Sequence, residues 1–179
     1  MLKYVALLRG INVGGHKPIK MDALARAFGS LGFKYVKTIL ASGNVLFDAP
    51  ESQVAALTQK IEKKLEATFS HPVGVTLRTV PEIQKRVKAE PFKKITVTTQ
   101  TRLYVTFRRD NTRGTLKIPY QSPEKDFQIL RVSAGEICSV LTLSPDRQTT
   151  ELMNMLEKEF GKTVTTRNWN TVVRFLKNC

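Results

Sequence analysis

Cysteine and histidine are scarce in this chain, and each scarcity closes a class of function. Two cysteines (Cys138, Cys179) and two histidines (His16, His71) occur among 179 residues. A tetrahedral zinc site takes its Cys and His ligands in close pairs. Neither Cys-x-x-Cys nor His-x-x-x-His is present, so no metal and no cofactor is expected. Secreted domains use even, spaced sets of cysteines as staples. One thiol inside an apolar run and one at the last residue indicate instead reduced cysteines in a cytoplasm. Long apolar runs are missing too: nothing approaches the ~18 residues of a membrane helix. The N-terminal run, residues 4–8, ends at Arg9 and is too short for a signal peptide. Catalytic signatures are also lacking. There is no Gly-x-Ser-x-Gly elbow. Ser122-Pro123-Glu124-Lys125 matches Ser-x-x-Lys, but Pro123 takes it out of a helix. Gly161-Lys162-Thr163 ends like a phosphate-binding loop, yet Leu156 stands where that loop requires glycine.

What the chain has is an ordinary core and an excess of positive charge. Apolar residues make up 41% and charged residues 25%, enough for a packed interior and no indication of disorder. Lys and Arg number 29 against 15 acids, a net +14. The charge is not a tail. Residues 1–90 hold 14 cations against 7 acids, and residues 91–179 hold 15 against 8. A field spread this evenly attracts anionic partners without naming one; a solubilising surface is the plainer account of it.

Periodicity gives the architecture. Residues 3–9 read as a strand covered on both faces, broken by the glycine-rich stretch 10–15. Met21, Leu24, Phe28 and Leu31 recur at helical spacing, with Gly32 placed to end the helix. Residues 35–40 and 44–47 read as strands joined at Ser42-Gly43. Pro50 and Ser52 open a second helix with Val54, Leu57, Ile61 and Leu65 on one face. Residues 74–80 form a strand, and Pro81 starts a short helix. The order β-α-β-β-α-β is that of a ferredoxin-like unit. Residues 91–100 read as a linker. Strands follow at 102–108, 127–132 and 136–143, with a basic, turn-rich segment at 108–117. Thr149 or Thr150 caps a helix carrying Leu152, Met155, Leu156 and Phe160. A short strand is expected at 162–165, and a last helix holds Val172, Val173 and Leu176. The predicted fold class is α+β: two ferredoxin-like halves, 1–90 and 101–179, in duplicated arrangement with an added C-terminal helix.

Three segments carry the chemistry worth weighing. Gly10-Ile11-Asn12-Val13-Gly14-Gly15 joins a strand to a helix, where backbone N–H groups can approach a phosphate. Its spacing fits no nucleotide fingerprint, and a structural turn is the plainer reading. Arg9 ends a buried-type strand, where a charge needs a partner or a ligand. Ser42-Gly43-Asn44 is ordinary turn chemistry. Thr165-Thr166-Arg167-Asn168-Trp169-Asn170-Thr171 is the densest polar cluster and contains the only tryptophan. Asn or Thr there can cap the following helix, while Trp flanked by Arg and amides suits a base or sugar ring.

Taken together, Arg9-Gly10-Ile11-Asn12-Val13-Gly14-Gly15, Ile19-Lys20-Met21 with Leu24, Ser42-Gly43-Asn44-Val45 and Thr166-Arg167-Asn168-Trp169-Asn170-Thr171 resemble the bacterial family named domain of unknown function 1697. The resemblance runs through nearly the whole chain in order. It implies two ferredoxin-like halves, in agreement with the periodicity, and it implies no activity. Its motif positions fall on Arg9, Asn12, Gly14, Gly15, Lys20, Ser42, Asn44, Arg167, Asn168, Trp169 and Asn170. Where members tend to have a Ser-Lys pair, this chain has Ser144-Pro145-Asp146-Arg147.

The expected function is binding of an anionic, ring-bearing partner, nucleic acid or a nucleotide, by a basic cytoplasmic protein, where residues 10–15 meet residues 167–171. One rival is an enzyme acting on a phosphorylated or carboxylated substrate in a cleft between the halves. Arg9, Lys20 and Arg167 would hold the anion and Ser42, Asn44 and Asn170 would orient it, but those residues include no general base. The other rival is an interaction protein that forms a homodimer through exposed sheet edges. Against an RNA-recognition module, Tyr104 and Phe107 fall on opposite faces of their strand and make no aromatic platform.

Overall fold

The computed structural model of the chain describes residues 1–12, 18–109, 114–144 and 150–179. Among them lie two antiparallel sheets and five helices, a mixed α/β structure. The chain divides into two compact units, Met1–Lys85 with Phe175–Cys179, and Arg86–Arg174.

In the first unit β1 (Leu2–Leu8) is an inner strand. With β2 (Lys34–Thr38), β3 (Asn44–Ala49) and β4 (Val75–Thr79) it forms a sheet of order β2-β3-β1-β4. Its continuous apolar run follows from burial on both faces, since every residue from Tyr4 to Leu8 is at most 1% exposed. One face is covered by α1 (Met21–Gly29) and α2 (Val54–Phe69), whose Leu24, Phe28, Leu57, Ile61 and Leu65 meet Tyr4, Ala6, Leu8, Val45 and Phe47. Phe47 is the hub. It stacks on Phe33 at 4.6 Å between ring centres and on Tyr4 at 5.7 Å, and takes Phe28 edge-on at 5.3 Å. The following helix α3 (Val80–Lys88) starts one residue before Pro81, because Thr79 and Glu82 close a capping box. The Thr79 N–H donates to Glu82 Oε2 at 2.7 Å and the Glu82 N–H to Thr79 Oγ1 at 3.3 Å.

The edge strand β2 carries a bulge. Lys34 pairs with Asp48 and Lys37 with Leu46, so Tyr35 and Val36 together oppose Phe47. Val36 packs against the core. Tyr35 is the extra residue, with φ of +50° and 78% of its surface exposed.

The second unit holds a sheet of order β6-β7-β8-β5-β9, built from β5 (Thr101–Phe107), β6 (Tyr120–Gln121), β7 (Phe127–Val132), β8 (Glu136–Thr142) and β9 (Thr165–Asn168). Helix α4 (Thr150–Phe160) seats Leu152, Leu156 and Phe160 on Phe127, Ile129, Ile137 and Leu141. Helix α5 (Trp169–Leu176) follows β9 without a loop. The last strand lies three residues later than its expected place at 162–165. A turn at Gly161 uses residues 162 and 163, Val164 enters the core, and pairing with β5 begins at Thr165. The short β6 is an addition that periodicity did not predict. Within 91–100, Phe92 is buried and turns close from Lys93 to Glu90 and from Ile95 to Phe92.

A polar network around the buried Glu136 and Arg108 ties this unit. The Arg86 guanidinium meets Glu136 Oε1 at 2.7 Å, and the Ser133 hydroxyl donates to the same oxygen. Arg108 donates to the Ser133 carbonyl at 2.6 Å and lies 5.3 Å from the Phe160 ring centre. Beside this network burial pushes the Cys138 thiol up to about 11, with the Glu136 carboxylate adding to the rise. A thiol held that high stays protonated near neutrality and is a poor nucleophile. At pH 8 a thiol reagent is therefore expected to label exposed Cys179 in the native protein, and Cys138 only after denaturation, as followed by mass spectrometry. Phe47→Ala is expected to destabilise the protein by about 3–5 kcal/mol, seen as a lower urea midpoint.

Candidate functional site

Five of the predicted site residues gather around the end of β1. The chain leaves the sheet at Arg9, whose N–H donates to the Gly74 carbonyl at 2.8 Å, and turns through Gly10 with φ of +67°. Asn12 follows with φ of +57°, a conformation in which asparagine is several-fold enriched. Its side chain acts as a clasp. Nδ2 donates to the Ile19 carbonyl at 3.1 Å and the Ala41 carbonyl at 2.9 Å, while Oδ1 accepts the Ile19 N–H at 2.8 Å.

The Ser42-Gly43-Asn44 turn lies beside this clasp. The buried Asn44 amide donates to the Ile39 carbonyl at 2.8 Å and to Ser42 Oγ at 3.0 Å. The Gly43 carbonyl accepts the Leu8 N–H at 2.8 Å. Gly43 has φ of +74°, and a Cβ there would sit 2.6 Å from Ile11 Cδ1, so both the backbone and the packing require glycine. Asn12, Ser42 and Asn44 thus spend hydrogen bonds on holding the loop to the sheet. Lys20 differs: it is exposed, immediately precedes α1, and its side chain makes no cap bond. Gly14 and Gly15 lie outside the described residues, as does Arg147.

The other four predicted residues belong to the second unit. Arg167 pairs with Val105 and Asn168 with Tyr104, across β9 and β5. Burial pulls the Arg167 guanidinium down to about 10, and its Nη1 donates to the Thr166 carbonyl at 2.8 Å. Asn168 ends the strand and caps the helix at once, since its Oδ1 accepts the Asn170 N–H at 2.9 Å. The half-buried Trp169 ring meets Phe92 edge-on at 5.2 Å, and Asn170 is exposed. The two groups therefore belong to separate units, five residues to the first and four to the second.

Other features stand apart from both groups. An open depression of about 180 Å³ in the second unit, lined in part by Thr96, Lys125, Gln128 and Thr142, includes none of the predicted residues. Among the described residues no group of three or more His, Cys, Asp and Glu is placed to hold a metal, and no helix is long and apolar enough to cross a membrane. Sequence reasoning missed Ile11, Phe92 and Tyr35. The signal for Tyr35 was an aromatic set between Lys34 and Lys37; for Phe92 there was none, because it sits in a stretch of turn-forming and charged residues.

Comparison with known proteins adds the lineage. The model of a family described as protein of unknown function (DUF1697) matches residues 1–137, so Arg9 to Asn44 lie inside the match and Arg167 to Asn170 beyond it. A conserved bacterial protein from Streptococcus pneumoniae has the same fold, with a TM-score of 0.72 at 20% identity over 99% of this chain and 98% of that one. No curated protein matches.

The clasp and the exposed lysine separate cleanly by experiment. Asn12→Ala is expected to cost about 1–3 kcal/mol, because it strands backbone groups that its amide satisfies. Lys20→Ala should leave the melting temperature within about a degree of wild type, as surface substitutions do. Thermal unfolding of both variants checks this.

Proposed function

Since the chain belongs to the DUF1697 family, which brings no activity with it, we propose from its own residues that it is a basic cytoplasmic protein that binds nucleic acid along the phosphate backbone. The observation that carries this reading is where the charge stands. Exposed cations occur in both units: Lys20, Lys34, Lys37, Lys60, Lys63 and Lys85 in the first, and Lys88, Lys93, Lys94, Lys125, Arg131 and Lys162 in the second. Charge distributed in this way suits an extended polyanion better than a single small phosphate, which needs one concentrated site.

The inner strands argue against base readout on the sheet surfaces. Val5, Leu7 and Leu46 are buried on the side of the first sheet opposite α1 and α2. Val105, Phe107 and Cys138 are buried in the second sheet, on the side opposite α4. A ferredoxin-like RNA-binding module presents exposed aromatics on such a face. We read the two sheets as one ferredoxin-like arrangement used twice. Supporting this, β2-β3-β1-β4 and β7-β8-β5-β9 follow the same order. Contact through exposed lysines makes binding tolerant of sequence and sensitive to salt.

Fluorescence anisotropy with labelled duplex and single-stranded oligonucleotides tests the reading. Affinity should fall at least ~30-fold between ~50 and ~200 mM salt, as expected when several phosphates are neutralised. Undetectable binding at the lower salt, or an affinity indifferent to salt, rules it out.

A further inference from the structure

Tyr35 is an uneconomical residue for its place in the first unit. A bulged edge strand with lysines is a common guard against unwanted strand pairing, and Lys34 and Lys37 flanking the bulge serve that purpose. The guard does not need an aromatic ring. At φ of +50° glycine or asparagine fits with less strain, and a tyrosine 78% exposed gains little from burial. The cost is borne in the backbone and in hydration alike, and the core receives nothing in return.

The bulge also decides what surrounds the ring. In a regular strand Lys34 and Lys37 point to opposite faces, because side chains alternate. Here Lys34 pairs with Asp48 and Lys37 with Leu46, two positions apart on β3, so both lysines stand on one face. Lys3 shares that face, since it too pairs with Asp48. Its Nζ donates to Asp48 Oδ1 at 2.8 Å and lies 5.9 Å from the centre of the Tyr35 ring. Lys3 thus lies beside an exposed ring, and Lys34, Lys37 and the Asp48 carboxylate share the face of the sheet on which Lys3 stands. With Lys3 toward one side of the ring and most of its surface open, the ring can accept a flat partner.

We propose that Tyr35 with Lys3, Lys34 and Lys37 is a stacking subsite for a base of single-stranded nucleic acid, Lys34 and Lys37 holding the flanking phosphates. This deepens the polyanion reading above and rests on it. A base stacked in a duplex does not offer its face to the ring, whereas a base in a single strand does. The subsite thus favours single strands, although the remaining lysines bind both forms.

The probes are a fluorescein-labelled oligothymidylate of about 20 nucleotides and a hairpin duplex of equal charge, measured by anisotropy at fixed salt. Tyr35→Ala should weaken oligothymidylate binding by roughly 5- to 100-fold, the worth of one base–ring stack, and leave duplex binding within about twofold. Tyr35→Phe should retain wild-type affinity. Lys34→Ala and Lys37→Ala should each lower the salt slope for the single strand by about 0.7. The proposal is overturned if Tyr35→Ala leaves oligothymidylate binding intact, or if it weakens both probes equally. Wild-type protein that binds neither probe removes the polyanion reading, and this subsite with it.

Discussion

Burial of β1 on both sides is the constraint on which the first unit rests. An inner strand that is apolar from Tyr4 to Leu8 cannot leave either face of its sheet to water without exposing Val5 and Leu7, or Tyr4, Ala6 and Leu8. The apolar area involved is worth about 25 cal/mol per Å² of surface removed from water, so a ligand on the sheet surface would have to displace a packed interior. Polar chemistry is therefore confined to strand ends, edge strands and the outer sides of helices. In the second sheet the buried charged residues Glu136 and Arg108 are bonded through Ser133 and Arg86.

This confinement sorts the residues that look functional in the sequence. Asparagine appears at four of the motif positions, and at three of them the side-chain amide completes backbone hydrogen bonding. Asn12 serves residues 19 and 41, Asn44 serves residue 39, and Asn168 serves residue 170. Buried or bent backbone needs such partners, because an unmet donor or acceptor costs about 1–3 kcal/mol. The lysines are a different population. They stand exposed at strand edges, turns and helix surfaces, where they complete no buried backbone.

Much of the fold could be read from residue spacing, and little of the site could. The run at residues 4–8 and the helical stripes of Leu57, Ile61 and Leu65, or Leu152 and Leu156, are local signals with periods of two or 3.6 residues. Asn12 bonds to groups 7 and 29 residues away, and no local pattern reports that. The bulge at Tyr35 was equally hidden. Tyr-Val-Lys-Thr reads as an acceptable strand in either register, and only pairing with β3 shows one residue too many. The strand β6 spans two residues, below the length at which alternation can be detected. Misplacing β9 had a related cause: Val164 looked like strand, but it is a core contact made just before the ladder begins.

The junction between β9 and α5 has no slack. Asn168 is the last residue paired with β5 and also the cap of the helix that follows. A helix turns by about 100° per residue, so one residue inserted or deleted between Arg167 and Asn170 would rotate all of α5 by more than a quarter turn. Val172 and Phe175, now shielded from water, would swing outward while charged Arg174 and Lys177 swung in. The spacing of this stretch is then a mechanical gauge: drift among chemically similar side chains is tolerable there, but a change of length is not.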